Sequence, residues 1–224
     1  MELMLDVTNL GISFGGLRAV NGCDLKIKKG ELYGLIGPNG AGKTTLFNLL
    51  TGVYRPDQGQ ILLDGKNITG KSTIEINRAG VARTFQNIRL FKQLSVLDNV
   101  KAGLHNHHKY STLAGIFRTP SFRRVEKEMD ERAMELLRVF DLDKEADYLA
   151  SNLPYGKQRK LEIARALATD PKLLLLDEPA SSLDPSNCRM LKRNLDKMSQ
   201  QGMGLVIATH DVDFAWEWAD RILV

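Results

Sequence analysis

Leu32-Tyr33-Gly34-Leu35-Ile36-Gly37-Pro38-Asn39-Gly40-Ala41-Gly42-Lys43-Thr44-Thr45 decides the reading of this chain. Its first five residues form a nearly continuous apolar run, the pattern of a strand buried on both faces. A glycine-rich turn follows, and Lys43 to Leu50 reads as a helix. Gly37 to Thr44 fits G-x-x-x-x-G-K-[ST] between that strand and that helix, the context in which such a loop binds phosphate. Glycines lack a Cβ, so successive N–H groups can curl around phosphate oxygens, and the helix N-terminus adds the positive end of its dipole. Lys43 is placed to neutralise the β- and γ-phosphates of a nucleotide, and the Thr44 hydroxyl to ligate Mg²⁺. Asn39, Gly40, Gly42, Lys43, Thr44 and Thr45 are the candidate phosphate-binding residues.

A second buried strand is expected at Leu173-Leu174-Leu175-Leu176 and ends in Asp177-Glu178. Open α/β sheets bind ligands at the C-terminal ends of their strands, so Asp177 is placed to orient the Mg²⁺ shell. The neighbouring Glu178 suits a general base that takes a proton from attacking water.

Working outward, Glu2–Asp6 and Val20–Ile27 read as strands. Asp64-Gly65 after Gln60–Leu63 reads as a hairpin turn, and Thr73–Arg78 as a short helix. From Ser95 to about Phe140 the pattern turns helical, with Phe122, Val125, Met129, Leu136 and Phe140 on one face and Ser121 as the expected N-cap. His105 to Pro120 reads as a polar loop, so His105-Asn106-His107-His108 is taken as solvated rather than metal-binding. From Leu161 a helix to Ala168, strand Leu173–Leu176, helix Asn187–Gln200, strand Leu205–Ala208 and helix Val212–Trp218 follow. That alternation signals an α/β core with parallel strands, interrupted by a helical insertion.

The 224 residues carry 31 Lys and Arg against 27 Asp and Glu, a net charge of +4, with 43% hydrophobic and 26% charged residues. This composition excludes a disordered, collagen-like or coiled-coil chain. Apolar runs of a few residues fall far short of the ~20 that span a bilayer. The N-terminus lacks the pattern of a secretory leader, which points to the cytosol. Cys23 and Cys188 have no close Cys or His partner, so neither a disulfide nor a zinc site is expected. Arg118, Arg123, Arg124 and Lys127 alternate with Glu126, Glu128, Asp130 and Glu131, the mark of a solvated helix face, and no nucleic-acid partner is expected.

Arg83-Thr84-Phe85-Gln86, Leu153-Pro154-Tyr155-Gly156-Lys157-Gln158, Ser182-Leu183-Asp184 and Thr209-His210-Asp211 accompany these two motifs in an order that resembles the ATP-binding cassette (ABC) ATPases. The resemblance covers essentially the whole chain. It implies a P-loop NTPase fold of the ABC type, with a mixed sheet core, an antiparallel β subdomain and a helical insertion. Residues 1–86 and 158–224 would form the core and 87–157 the helical part. It further implies ATP as ligand, Gln86 on Mg²⁺ and the attacking water, and His210 on the γ-phosphate. Residues 153 to 157 would be the signature loop, with Tyr155 and Gly156 facing nucleotide, Asp184 at a dimer seam and Phe14 stacked on adenine. The family pattern reads close to LSGGQ, yet Pro154 stands where the Ser hydroxyl would meet phosphate, and Lys157 where the Gln would be. Proline has neither hydroxyl nor N–H, so that contact must be lost or replaced. Tyr155, Gly156 and the basic helix start with Lys157 and Arg159 are the expected replacement, presenting N–H groups and positive charge to phosphate.

Ser121 to Arg165 and Ser13-Phe14-Gly15-Gly16-Leu17-Arg18-Ala19-Val20 look most like the ATPase subunits of bacterial branched-chain amino-acid importers. Ile207 to Ala215 resembles cobalt and nickel importer ATPases instead. Natural divergence and a chimera joined between Leu167 and Asp184 both remain open at this point. The last residues, Ile222-Leu223-Val224, fall in an expected strand, where family members usually continue, so a C-terminal truncation is expected. The resemblance implies an ATPase that energises an importer, works as a homodimer or heterodimer of ABC subunits, and sits on the inner face of the membrane against separate permease subunits. The alternative is a soluble ABC ATPase acting on DNA or ribosomes; such proteins usually carry a long coiled-coil insertion or a second cassette, and 224 residues with one P-loop have room for neither. A third reading is a nucleotide-binding module with little activity.

Overall fold

The computed structural model describes residues 2–106, 119–181 and 183–224. They form two compact units: Met1–Gln86, Pro171–Ser181 and Cys188–Val224 in one, Asn87–Asp170 and Ser182–Asn187 in the other. The second unit runs on to residue 170 because the helix beginning at Tyr155 packs on the helices of that unit.

In the first unit, β3 (Leu32–Ile36), β6 (Val81–Arg83), β7 (Leu173–Asp177), β8 (Gly204–Thr209) and β9 (Arg221–Leu223) form a parallel sheet in the order β6-β7-β8-β3-β9. All residues of β3, β7 and β8 are buried. Tyr33, Leu35, Leu173, Leu175, Val206 and Ala208 face one core, and the residues between them are buried on the opposite face, as the apolar runs require. Register pairs Ile36 with Thr209 and Asp177 with Ala208, so β3, β7 and β8 end at one edge of the sheet. Helix α1 (Lys43–Leu50) starts there and buries Leu46, Phe47, Leu49 and Leu50 in the same core. Its N-cap, Gly42, has φ 89°, and a Cβ there would lie 2.8 Å from the Ala19 carbonyl, so glycine is required on both counts.

The antiparallel strands form a separate sheet, β2-β1-β4-β5, from β1 (Leu3–Phe14), β2 (Leu17–Lys28), β4 (Gln58–Leu63) and β5 (Lys66–Asn67). Asp64 and Gly65 turn the β4–β5 hairpin with φ 49° and 74°. The Asp64 carboxylate accepts from Lys172 at 2.7 Å and lies 3.0 Å from Lys29, and these two ammonium groups hold its pKa down to about 2. Helix α2 (Thr73–Ala79) opens on a capping box between Ser72 and Glu75.

In the second unit, α3 (Val96–Leu104) is capped by Ser95. Helix α4 (Pro120–Val139) is capped by Thr119, not Ser121, because Pro120 occupies the first helical position, where its fixed φ and missing N–H cost nothing. The buried stripe of α4 is Met129, Ala133 and Leu137, continued by Phe140; Leu136 is only half-buried. Arg124 and Lys127 pair with Glu128 and Glu131 along the exposed side, the solvated face expected. His105 ends α3, whereas Arg118, His107 and His108 lie outside the described residues. Helix α5 (Tyr155–Leu167) starts six residues earlier than its apolar run suggests, so Tyr155 and Gly156 belong to a helix and the loop ends at Pro154. At Gly103 a Cβ would lie 2.5 Å from the Arg165 carbonyl, which shows how closely α3 and α5 approach. Helix α6 (Pro185–Gln200) follows Asp184, and α7 (Val212–Trp218) is capped by Asp211. No described helix is long and apolar enough to cross a membrane.

Candidate nucleotide-binding site

A cleft of about 330 Å³ opens where β3, β7 and β8 end, lined by the 38–42 loop with Lys43, Thr44, Thr45, Gln86, Asp177 and Glu178. Asn39, Gly40 and Gly42 are therefore gathered with the two acidic residues from far along the chain, as the two motifs require. The loop is closed by Ala41 N–H donating to the Pro38 carbonyl at 3.2 Å. The Lys43 ammonium lies against the carbonyls of Gly37 and Pro38, the latter at 3.1 Å.

The acidic residues are held from behind. Asp177 Oδ2 accepts from Arg83 at 3.0 Å, both side chains being 5% exposed. Glu178 adopts φ 49°, a left-handed conformation uncommon for a non-glycine residue. Four contacts fix it there: its N–H donates to the Ala208 carbonyl at 2.9 Å, Oε2 accepts from the Thr209 hydroxyl at 2.9 Å, and Oε1 accepts from the His210 N–H at 2.9 Å. The fourth is His210 Nδ1, 2.7 Å from the same Oε1, with the ring 63% exposed. Strain held by so many contacts is typical of functional sites. His210, which does not line the cleft, is joined to it through Glu178.

Other expected site residues lie elsewhere. Phe14, 44% exposed, stands edge-on to the Tyr54 ring at 5.2 Å and is not among the residues lining this cleft. Tyr155, Gly156 and Asp184 belong to the second unit. Asp184 caps α6, accepting from the N–H groups of Ser186 and Asn187 at 2.9 Å each; the Asn187 N–H is the main cause of its lowered pKa. A Cβ on Gly156 would lie 3.5 Å from Leu183 Cδ2, so these two motifs are neighbours; Ser182 lies outside the described residues. The expectation that Lys157 and Arg159 present charge to phosphate is corrected here. Lys157 is ion-paired with Glu145, and Arg159 is fully buried against Glu162 at 2.8 Å. A buried guanidinium must find a carboxylate within its own unit.

Two contributors were not assigned from sequence. In the sequence motifs Thr209 stands beside His210 and Arg83 shortly before Gln86, neither with a role of its own. The signal for Arg83 was a cation closing the short apolar strand Val81-Ala82, which needs a buried partner. Among the described residues no cluster of His, Cys, Asp and Glu fits a metal ion, and neither Cys23 nor Cys188 forms a disulfide.

The family model described as ABC transporter matches residues 20–181. BraF of Pseudomonas aeruginosa, a high-affinity branched-chain amino acid transport ATP-binding protein, is 45% identical over 222 residues, 99% of this chain and 87% of its own length. That alignment runs through residues 167 to 184 and gives no support to a chimeric join. The ADP conformation of MJ1267, an ATP-binding cassette of an ABC transporter, matches with a TM-score of 0.84 and 31% identity over 99% of this chain and 87% of that one. The dimeric cassette MJ0796, in a post-hydrolysis state with ADP and Pi, matches with a TM-score of 0.83 and 26% identity over 98% of this chain and 93% of that one. With the cleft, the ordered motifs and these likenesses together, the chain belongs to the ABC transporter family, as one of its ATP-hydrolysing nucleotide-binding subunits.

Proposed function

We propose that this subunit binds and hydrolyses Mg-ATP to energise an importer of branched-chain amino acids or a related small solute. The observation that carries this reading is the convergence of Lys43, Thr44, Asp177 and Glu178 at the shared end of β3, β7 and β8. In this reading Lys43 and the loop N–H groups hold the β- and γ-phosphates. The cleft offers a hydroxyl, an amide and carboxylates, all hard oxygen donors of the kind Mg²⁺ takes, so Thr44, Gln86 and Asp177 would hold that ion. When bound, Mg²⁺ neutralises charge on the β- and γ-oxygens. Glu178 takes a proton from water as the water oxygen bonds to the γ-phosphorus and the bond to the β-phosphate oxygen breaks, giving ADP and phosphate. Thr209 and His210 keep the Glu178 carboxylate aimed, and the His210 ring, more than half exposed, would reach the γ-phosphate of bound ATP.

Two copies would sandwich ATP head to tail, each presenting Tyr155 and Gly156 to the nucleotide of the other. The dimeric MJ0796 cassette supports such an assembly, as the name BraF supports the solute class. Separate permease subunits would place the dimer on the inner face of the membrane. The test is uptake of radiolabelled leucine by vesicles carrying this subunit with its co-purified permease partners and enclosed Mg-ATP. ATP-dependent uptake is expected; ATP hydrolysis without uptake of any branched-chain amino acid would overturn the solute assignment.

A further inference from the structure

Arg83 sits where the loop helix, β6 and β7 meet, behind the cleft rather than lining it. Its guanidinium donates from Nη1 to Asn48 Oδ1 at 2.6 Å and from Nη2 to Asp177 Oδ2 at 3.0 Å. The same group lies over the rings of Phe47 and Phe85, 5.2 and 4.9 Å from their centroids. Asn48 follows Thr44 by four residues on α1, so the two side chains rise from one face of the helix. We propose that Arg83 is a positioning residue that fixes the spacing between the Thr44 hydroxyl and the Asp177 carboxylate, and so the size of the cation they accept.

The inference rests on the reading of Thr44 and Asp177 as Mg²⁺ ligands. A planar guanidinium donates in a rigid fork, and two ring faces restrict its tilt, so the distance it spans is set by its own geometry. Mg²⁺ tolerates little error, requiring a near-ideal octahedron at about 2.0–2.1 Å, whereas Ca²⁺ accepts looser sites at about 2.3–2.6 Å. Lysine keeps the charge of Arg83 but supplies no fork, and Asn48→Ala leaves the Arg83–Asp177 pair while releasing it from α1.

The experiment uses the full chain and needs no turnover. Mn²⁺ binding with ADP is followed by electron paramagnetic resonance, Mg²⁺ and Ca²⁺ affinities by competition, and ATP affinity separately in EDTA. Arg83→Lys and Asn48→Ala should weaken Mn²⁺ and Mg²⁺ by about 10- to 100-fold, as loss of an outer-sphere partner typically does. Ca²⁺ should weaken less, and ATP affinity in EDTA should stay within about twofold. In an Asp177→Asn background Arg83→Lys should add nothing. A merely structural Arg83 predicts equal losses with and without metal, and that result, or unchanged Mn²⁺ affinity in both folded variants, overturns the inference alone. A wild-type protein that binds no Mn²⁺ with nucleotide overturns the metal reading together with it.

Discussion

The edge of the sheet at Lys43, Asp177 and Glu178 and the first turn of α5 use charge in opposite ways. At the sheet edge the acidic side chains are gripped from behind, Asp177 by Arg83 and Glu178 by Thr209 and His210, while both line the cleft. At α5 the basic side chains turn inward to Glu145 and Glu162, leaving a 46% exposed Tyr155 and the backbone of Gly156 at the helix start. A charge in a motif is evidence of chemistry only when its partners leave it facing a cavity. Where Pro154 and Lys157 replace the family's Ser and Gln, the charges brace the helix, and in the proposed dimer the phosphate contacts would fall to N–H groups and the tyrosine.

The comparison breaks most clearly at Glu178. Glu178→Gln keeps the shape, with the amide oxygen accepting from His210 and the amide N–H₂ turned to the Thr209 hydroxyl, but cannot take a proton, so single-turnover hydrolysis should fall by ~10²–10⁴, about 3–5 kcal/mol of barrier. ATP affinity should be unchanged, since Lys43 and Thr44 are untouched. Wild-type hydrolysis in this variant would remove the base and the contrast with it.

An effect of similar size, on stability rather than turnover, is expected at Glu162. Its two carboxylate oxygens accept from the Arg89 N–H at 3.1 Å and from buried Arg159 at 2.8 Å. Glu162→Ala removes the carboxylate paired with that buried guanidinium, which typically costs ~3–5 kcal/mol, read by urea unfolding. The folded fraction should bind ATP normally. Unchanged stability would show that the charges of α5 are not braces.

The two regions also differ in how far the sequence disclosed them. The bounds of β3, α1 and α7 follow from apolar period and turn chemistry, because those signals are local. The cleft was legible for the same reason: two motifs each place their residues within one turn of a strand end. The start of α5 was not, since Pro154, Tyr155 and Gly156 are poor helix signals and only tertiary packing decides where the helix begins. The inward turn of Arg159 was likewise hidden, because its burial depends on α3, α4 and the chain near Arg89. Leu137 displaced Leu136 on the α4 stripe for a related reason: both fit a helical period, and the neighbours choose between them.

A smaller loss is expected at Lys43. Lys43→Ala removes a charge-assisted contact to phosphate worth ~1.5–3 kcal/mol, or about ten- to a hundredfold in ATP affinity by calorimetry. Lys157→Ala is the counterpart at α5: its ammonium pairs with Glu145, so ATP affinity should stay put and stability should fall by no more than ~1 kcal/mol. A tenfold loss of ATP affinity in Lys157→Ala would erase the distinction drawn between the two regions.

The smallest expected effect on stability is the sharpest test of what remains at α5. Gly156 is the second residue of the helix, its φ is not in the left-handed region, and a Cβ there would make only an ordinary contact with Leu183. Alanine is the better helix former by up to about 1 kcal/mol, less in a first turn, so Gly156→Ala should leave the melting temperature unchanged or slightly raised. If the backbone at this point approaches the phosphates of ATP held by a second copy, the added methyl stands between N–H donor and oxygen. Light scattering in Mg-ATP, on a Glu178→Gln background in which hydrolysis is slow, should then show fewer dimers at equal protein concentration, with ATP affinity of the monomer unaltered. Full dimerisation of the alanine variant would mean that Gly156 does not make close contact in the assembly, and that Tyr155 or another part of the α5 start carries the phosphate contact instead.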